Sequence, residues 1–121
     1  MTDLAETALA FAKECMGWSD AEAPRHASRR KIEIQSYAGD GKFITKRFNF
    51  TDLNVVEKAV RKWCQLNGAW FKLFLNVDHS LTVTVEPIRC DAGLGSSTSS
   101  IACQALMQAC LEAARKLKGT A

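Results

Sequence analysis

The sequence predicts an α+β domain in which a mainly antiparallel four-stranded sheet is covered by three helices. Three observations predict it. Behind Thr51 and Asp52, the residues Leu53, Val56, Val60, Trp63 and Cys64 recur at helical spacing, so one helix face must bury itself. On either side of that helix the apolar positions switch to period two, at Lys31 to Tyr37 and Lys42 to Phe48 before it and at 69–77 and Leu81 to Val85 after it. Gly39-Asp40-Gly41 and Asp78-His79-Ser80 divide each pair, and strands joined by such tight turns run antiparallel.

The elements follow in the order helix, hairpin, helix, hairpin, helix. Thr2 can cap a first helix with Asp3 and Glu6 in its early turn, and Leu4, Ala5, Ala8, Leu9, Ala12, Cys15 and Met16 form its apolar stripe up to a stop at Gly17. Asp20 to Arg30 carries Pro24 and a basic run through Arg25, His26, Arg29, Arg30 and Lys31 without apolar periodicity, and reads as an exposed loop. The first hairpin places Ile32 and Ile34 on one face of its first strand and Ile44 and Phe48 on one face of its second. In the central helix Thr51 can accept an N–H of the first turn and Asp52 suits the positive helix end, while Asn67-Gly68 closes it.

Residues 69–77 then set Trp70, Lys72, Phe74 and Asn76 against Phe71, Leu73, Leu75 and Val77, which predicts cover on both faces of that strand. In its partner Leu81, Val83 and Val85 alternate with Thr82, Thr84 and Glu86, and Pro87 ends the run. A Gly/Ser-rich loop, Ala92 to Ser100, leads to a last helix from about Ile101 to Lys118, with Arg115, Lys116 and Lys118 near its negative end. That helix is apolar nearly all round. Either it is deeply buried or it carries a self-association surface.

With 121 residues, 47% of them hydrophobic, the chain has material for one core, so residues 1–121 are read as a single domain. A net charge of +3 falls short of the basic footprint of a duplex-DNA binder but suits a small anionic ligand. Five cysteines form an odd set with no C-x-x-C pair, which predicts reduced thiols and a cytosolic setting. No basic, then apolar, leader opens the chain, and no apolar run approaches the ~20 residues that span a bilayer. Catalysis is not expected. His26 and His79 have no carboxylate at informative spacing, no zinc signature occurs, and Cys64, Cys103 and Cys110 lie on apolar helix faces where thiols are inert. No cofactor is expected either.

Three short pieces carry a resemblance: Cys15-Met16-Gly17-Trp18, Phe50-Thr51-Asp52-Leu53-Asn54, and Ser97-Thr98 with Ile101-Ala102-Cys103-Gln104-Ala105-Leu106. With the Asp78-His79-Ser80 turn before Leu81-Thr82-Val83, they resemble the small phage-encoded "ABA sandwich" domain family. The chain departs from the family pattern at Ser97, Ser99 and Ser100, where an acidic residue and a proline are frequent, and at Gln104, where an arginine is. The resemblance implies a phage or prophage anti-defence protein of the Thoeris "sponge" type. Such a protein sequesters cyclic ADP-ribose isomers, or the cyclic oligonucleotides of CBASS, without cleaving them. It also implies a homo-oligomer, dimer or hexamer, in the bacterial host cytosol, with neither membrane nor duplex DNA as partner.

A sponge needs phosphate donors, a stacking surface and ribose hydrogen bonds. Ser96, Ser97, Thr98 and Ser99, with Ser100, bring hydroxyls to the free N–H groups of a helix start, which bind anions, although an ordinary capped loop is the plainer reading. Trp18, Trp70, Phe71 and Phe74 can stack a base; core packing is the default for each, Trp18 is the exception because it follows a helix stop, and Trp18 and Phe71 join the candidate site. Among Arg25, Arg29, Arg30, Lys46, Arg47 and Arg89, the last two rank highest because each sits beside a strand end. The rival reading is an anti-CRISPR-like inhibitor of a host protein or nucleic-acid complex acting through the basic Arg25 to Lys31 loop and the exposed helix, and a structural role in the virion is a third.

Overall fold

A computed structural model describes residues 4–18, 31–39, 42–88 and 93–118, with 31–39 and 42–47 described as backbone. Helix α1 spans Leu4–Glu14 and buries Thr7, Ala8, Phe11 and Ala12 on one face. Gly17 ends the turn after it in the left-handed region, φ 74°, which a glycine adopts without Cβ strain. Strands β1, Lys31–Gly39, and β2, Lys42–Asn49, form the expected antiparallel hairpin with Lys31 opposite Asn49. The expected Thr2 cap and the loop from Asp20 to Arg30 lie outside the described residues.

Helix α2, Leu53–Asn67, is capped by Asp52, whose side chain accepts the Asn54 N–H at 3.0 Å. Thr51 does not cap it. Its N–H and hydroxyl both donate to Asn49 Oδ1, at 3.2 and 2.8 Å, so the aspartate one residue later inherits the role. Val56, Val60, Trp63 and Cys64 are buried, and Gly68 closes the helix in the left-handed region with its N–H on the Cys64 carbonyl.

Strands β3, Ala69–Leu75, and β4, Leu81–Pro87, form the second hairpin, and β4 pairs on its other side with β5, Gly95–Ser99. This corrects two expectations. The hydroxyl-rich stretch is an edge strand rather than a loop at a helix start. In place of one four-stranded sheet, the described strands form an antiparallel three-stranded sheet in the order β3-β4-β5 and a separate β1-β2 pair.

Helix α3, Ala102–Leu117, packs against α1, α2, β4 and β5 and buries nine of its residues. Its all-round apolar character is therefore that of a core helix. Leu106, Met107 and Leu111 join Val83 and Val85 in the buried core, and fully burying a side chain of that size contributes roughly 1.5–3 kcal/mol. Ala105, Ala109 and Ala113 keep the β5 side of the helix flat. Among the described residues no helix is long and apolar enough to cross a membrane.

Candidate functional site

The register of β3-β4-β5 sorts its side chains into two faces. Residues directly opposite one another share a face, so Phe71, Leu73 and Leu75 lie with Leu81, Val83 and Val85 toward α3. The other face collects Trp70, Lys72 and Phe74 from β3, Thr82, Thr84 and Glu86 from β4, and Ser96 and Thr98 from β5. Here the expectation that β3 is covered on both sides fails: Trp70 is 44% and Phe74 53% exposed.

This outer face is ordered by its own contacts. Lys72 Nζ lies 4.8 Å from the centre of the Trp70 ring and 3.2 Å from a carboxylate oxygen of Glu86, a cation resting on a π-face and paired with an anion. The Thr82 and Thr98 hydroxyls meet at 2.8 Å across β4 and β5, and Asn76 Nδ2 donates to Thr82 Oγ1 at 2.8 Å and to Ser80 Oγ at 3.0 Å. Trp70 and Phe74, four residues apart on one strand, stand about 13 Å from each other along it. The surface thus offers two exposed rings, Trp70 with the Lys72 ammonium group resting on it and Phe74, with a row of hydroxyls alongside.

The residues expected from sequence to form the site are dispersed. Ser96 and Thr98 point to the outer face and Ser97 and Ser99 to the α3 side. The helix they precede starts at Ala102 behind Ile101 with no side-chain cap, and Ser99 Oγ accepts the Ile101 N–H at 3.1 Å. The Ser96 N–H is already taken by Glu112 at 3.1 Å. Phe71 is half-buried against the core. Trp18 is half-buried at the end of α1, edge-on to Phe48 with ring centres 6.4 Å apart, and lines a 370 Å³ groove with Cys15, Met16, Ala59, Lys62, Trp63 and Leu66. Arg47 stands opposite Glu33 in the β1-β2 ladder, and Arg89 lies outside the described residues.

The signal for the outer face was present in the sequence. Thr82, Thr84 and Glu86 mark the solvated side of β4, and a tight turn at Asp78-His79-Ser80 fixes which β3 residues stand opposite them.

The cysteines do not extend the site. Cys15 and Cys110 bring their sulfurs to 3.7 Å between α1 and α3, burial pushes the Cys64 thiol up to about 11, and the Cys110 thiol is raised by its hydrogen bond to Cys15 and by burial. Among the described residues no group of three or more His, Cys, Asp or Glu side chains is placed to hold a metal ion. No protein-family model, curated protein or solved structure matches this chain.

Proposed function

We propose that the chain is a non-catalytic binding protein that captures a small nucleotide, of the cyclic ADP-ribose isomer or cyclic oligonucleotide class, on the outer face of β3-β4-β5. The observation that carries this reading is the pair of open rings, Trp70 and Phe74, flanking Lys72 on one strand face. A base stacked on an aromatic face gains roughly 1–3 kcal/mol. The hydroxyls of Thr84, Ser96 and Thr98 can donate to or accept from ribose and phosphate oxygens. Capture moves Lys72 from Glu86 to a ligand phosphate and bares the Trp70 ring for the base. Glu86 is the one carboxylate that the register puts on this face, which suits retention of the ligand over turnover.

The resemblance to phage ABA-sandwich sponges extends the reading to anti-defence by stoichiometric capture in the host cytosol. The rival inhibitor reading rests on the Arg25 to Lys31 loop, of which 25–30 lie outside the described residues, and on an exposed last helix, whereas α3 buries nine of its residues. Equilibrium dialysis against cyclic ADP-ribose isomers, cyclic dinucleotides and cyclic trinucleotides tests the proposal. Retention of one class by the wild-type chain, weakened at least tenfold in Trp70→Ala, supports it; retention of none, or equal retention by the variant, rejects it.

A further inference from the structure

The open edge of β3 carries a second relationship, independent of any ligand. Asn76 N–H donates to the Ser80 carbonyl at 2.9 Å and Ile88 N–H to the Gly68 carbonyl at 3.0 Å, so those opposed pairs are hydrogen-bonded ones. Pairs alternate along an antiparallel ladder. Trp70, Lys72 and Phe74 therefore spend their backbone groups on β4, while Phe71, Leu73 and Leu75 turn theirs outward. Among the described strands β3 has no partner on that side.

The edge is also apolar where it should be guarded. Exposed edges are normally blunted by charge, proline or a bulge, yet β3 pairs with β4 in unbroken register and its one charge, Lys72, is held by Glu86. Leu73 is 50%, Leu75 73% and Val77 101% exposed, beside the half-exposed Trp70 and Phe74. Counting about 150–250 Å² for a large side chain, these five expose on the order of 600 Å². A second copy pairing along the edge would cover part of that area together with the edge backbone, where a standard interface buries roughly 800 Å² per partner.

We propose that β3 pairs antiparallel with β3 of a second copy of this chain about a two-fold axis at Leu73, joining the two sheets into one of six strands. The register is self-complementary. Leu73 faces its symmetry mate and Phe71 faces Leu75, both on the α3 side. On the outer face Lys72 faces Phe74, a cation on a ring, and Trp70 faces Asn76. The three outward-turned residues of each copy form about six interchain hydrogen bonds. Moving the axis by one residue to Lys72 would set two ammonium groups, each with its Glu86 partner, opposite one another, which disfavours that register. The outer faces then run on continuously, bringing two sets of Trp70, Lys72 and Phe74 to one surface.

Sedimentation equilibrium of the full chain at about 0.1 mM should give twice the 13.3 kDa chain mass. Leu73→Lys, which opposes two charges at the axis, should weaken association at least 100-fold while leaving the far-UV circular dichroism intact. A second test needs no loss of association. In Leu73→Cys the introduced thiols stand on Cα atoms about 5.5 Å apart, within disulfide reach, whereas in Val77→Cys they are roughly 27 Å apart. Mild oxidation should cross-link the first variant and leave the second, like the wild-type chain, uncross-linked. A wild-type chain that sediments as a monomer, a dimer that survives Leu73→Lys, or equal cross-linking of both cysteine variants overturns the proposal.

Discussion

Gly95 lies so close to Ala109 that a Cβ built on the glycine would stand 2.3 Å from the Ala109 carbonyl oxygen and 2.7 Å from the Ala113 N–H nitrogen. Strand β5 therefore rests directly on the backbone of α3, through the gap left by the small residues Ala105, Ala109 and Ala113. Gly95→Ala should cost about 1–3 kcal/mol, toward the upper end because backbone atoms cannot rotate away. Urea unfolding followed by circular dichroism measures it, and Ser96→Ala, on the open face, should change stability by less than about 0.5 kcal/mol.

This contact also explains what the sequence could and could not reveal. Helices α1, α2 and α3 and the two hairpins announce themselves through period, caps and turns, and Gly68, Pro87 and the Asp78-His79-Ser80 turn fall where those patterns place them. Strand β5 has no such signal. Its five residues are Gly and hydroxyl residues, small because α3 presses on one side and polar because the other side is wet. Composition of that kind reads as a loop, and only the position of α3 makes it a strand. The same blindness moved the expected stacking role to Phe71 and Trp18, since apolar residues on both faces of β3 suggest cover on both, and only the assembled sheet leaves Trp70 and Phe74 open.

The two faces of β3 should respond differently to truncation. Trp70→Ala and Phe74→Ala should each weaken nucleotide binding at least tenfold, by about 1.4–3 kcal/mol, with little effect on thermal stability. Phe71→Ala, on the core side, should instead lower the melting temperature by several degrees. Calorimetric titration and differential scanning on the same preparations separate the two effects.

Arg115 donates to both carboxylate oxygens of Glu14, at 3.0 and 2.8 Å, clamping the end of α1 to α3. The guanidinium holds the Glu14 carboxyl below its ordinary value. A lowered folded-state value means that the ion pair stabilises the fold fully above about pH 4.5 and that this contribution fades as the pH falls through the lowered value. Both groups are partly exposed, so Glu14→Gln should cost under about 1 kcal/mol at pH 7 and nothing near pH 2. Paired urea titrations at the two pH values check the sign.

Buried thiols should be slow to react. With Cys64 raised to about 11 and Cys103 raised by burial, and Cys110 raised by its hydrogen bond to Cys15 and by burial, few thiolates form at pH 8. A short pulse of a maleimide on the native chain, followed by peptide mass mapping, should label Cys15 ahead of Cys64, Cys103 and Cys110. All four should label together in urea.

The most direct test of the central claim follows the ligand itself. The nucleotide retained in dialysis is titrated calorimetrically into wild-type chain and into Trp70→Ala, and the wild-type complex is then heated to release the ligand for mass analysis. The account predicts a saturable heat that weakens at least tenfold in Trp70→Ala, and recovery of the ligand at unchanged mass. A ligand recovered as a cleaved product, or a Trp70→Ala variant that binds as tightly as the wild type, would contradict it.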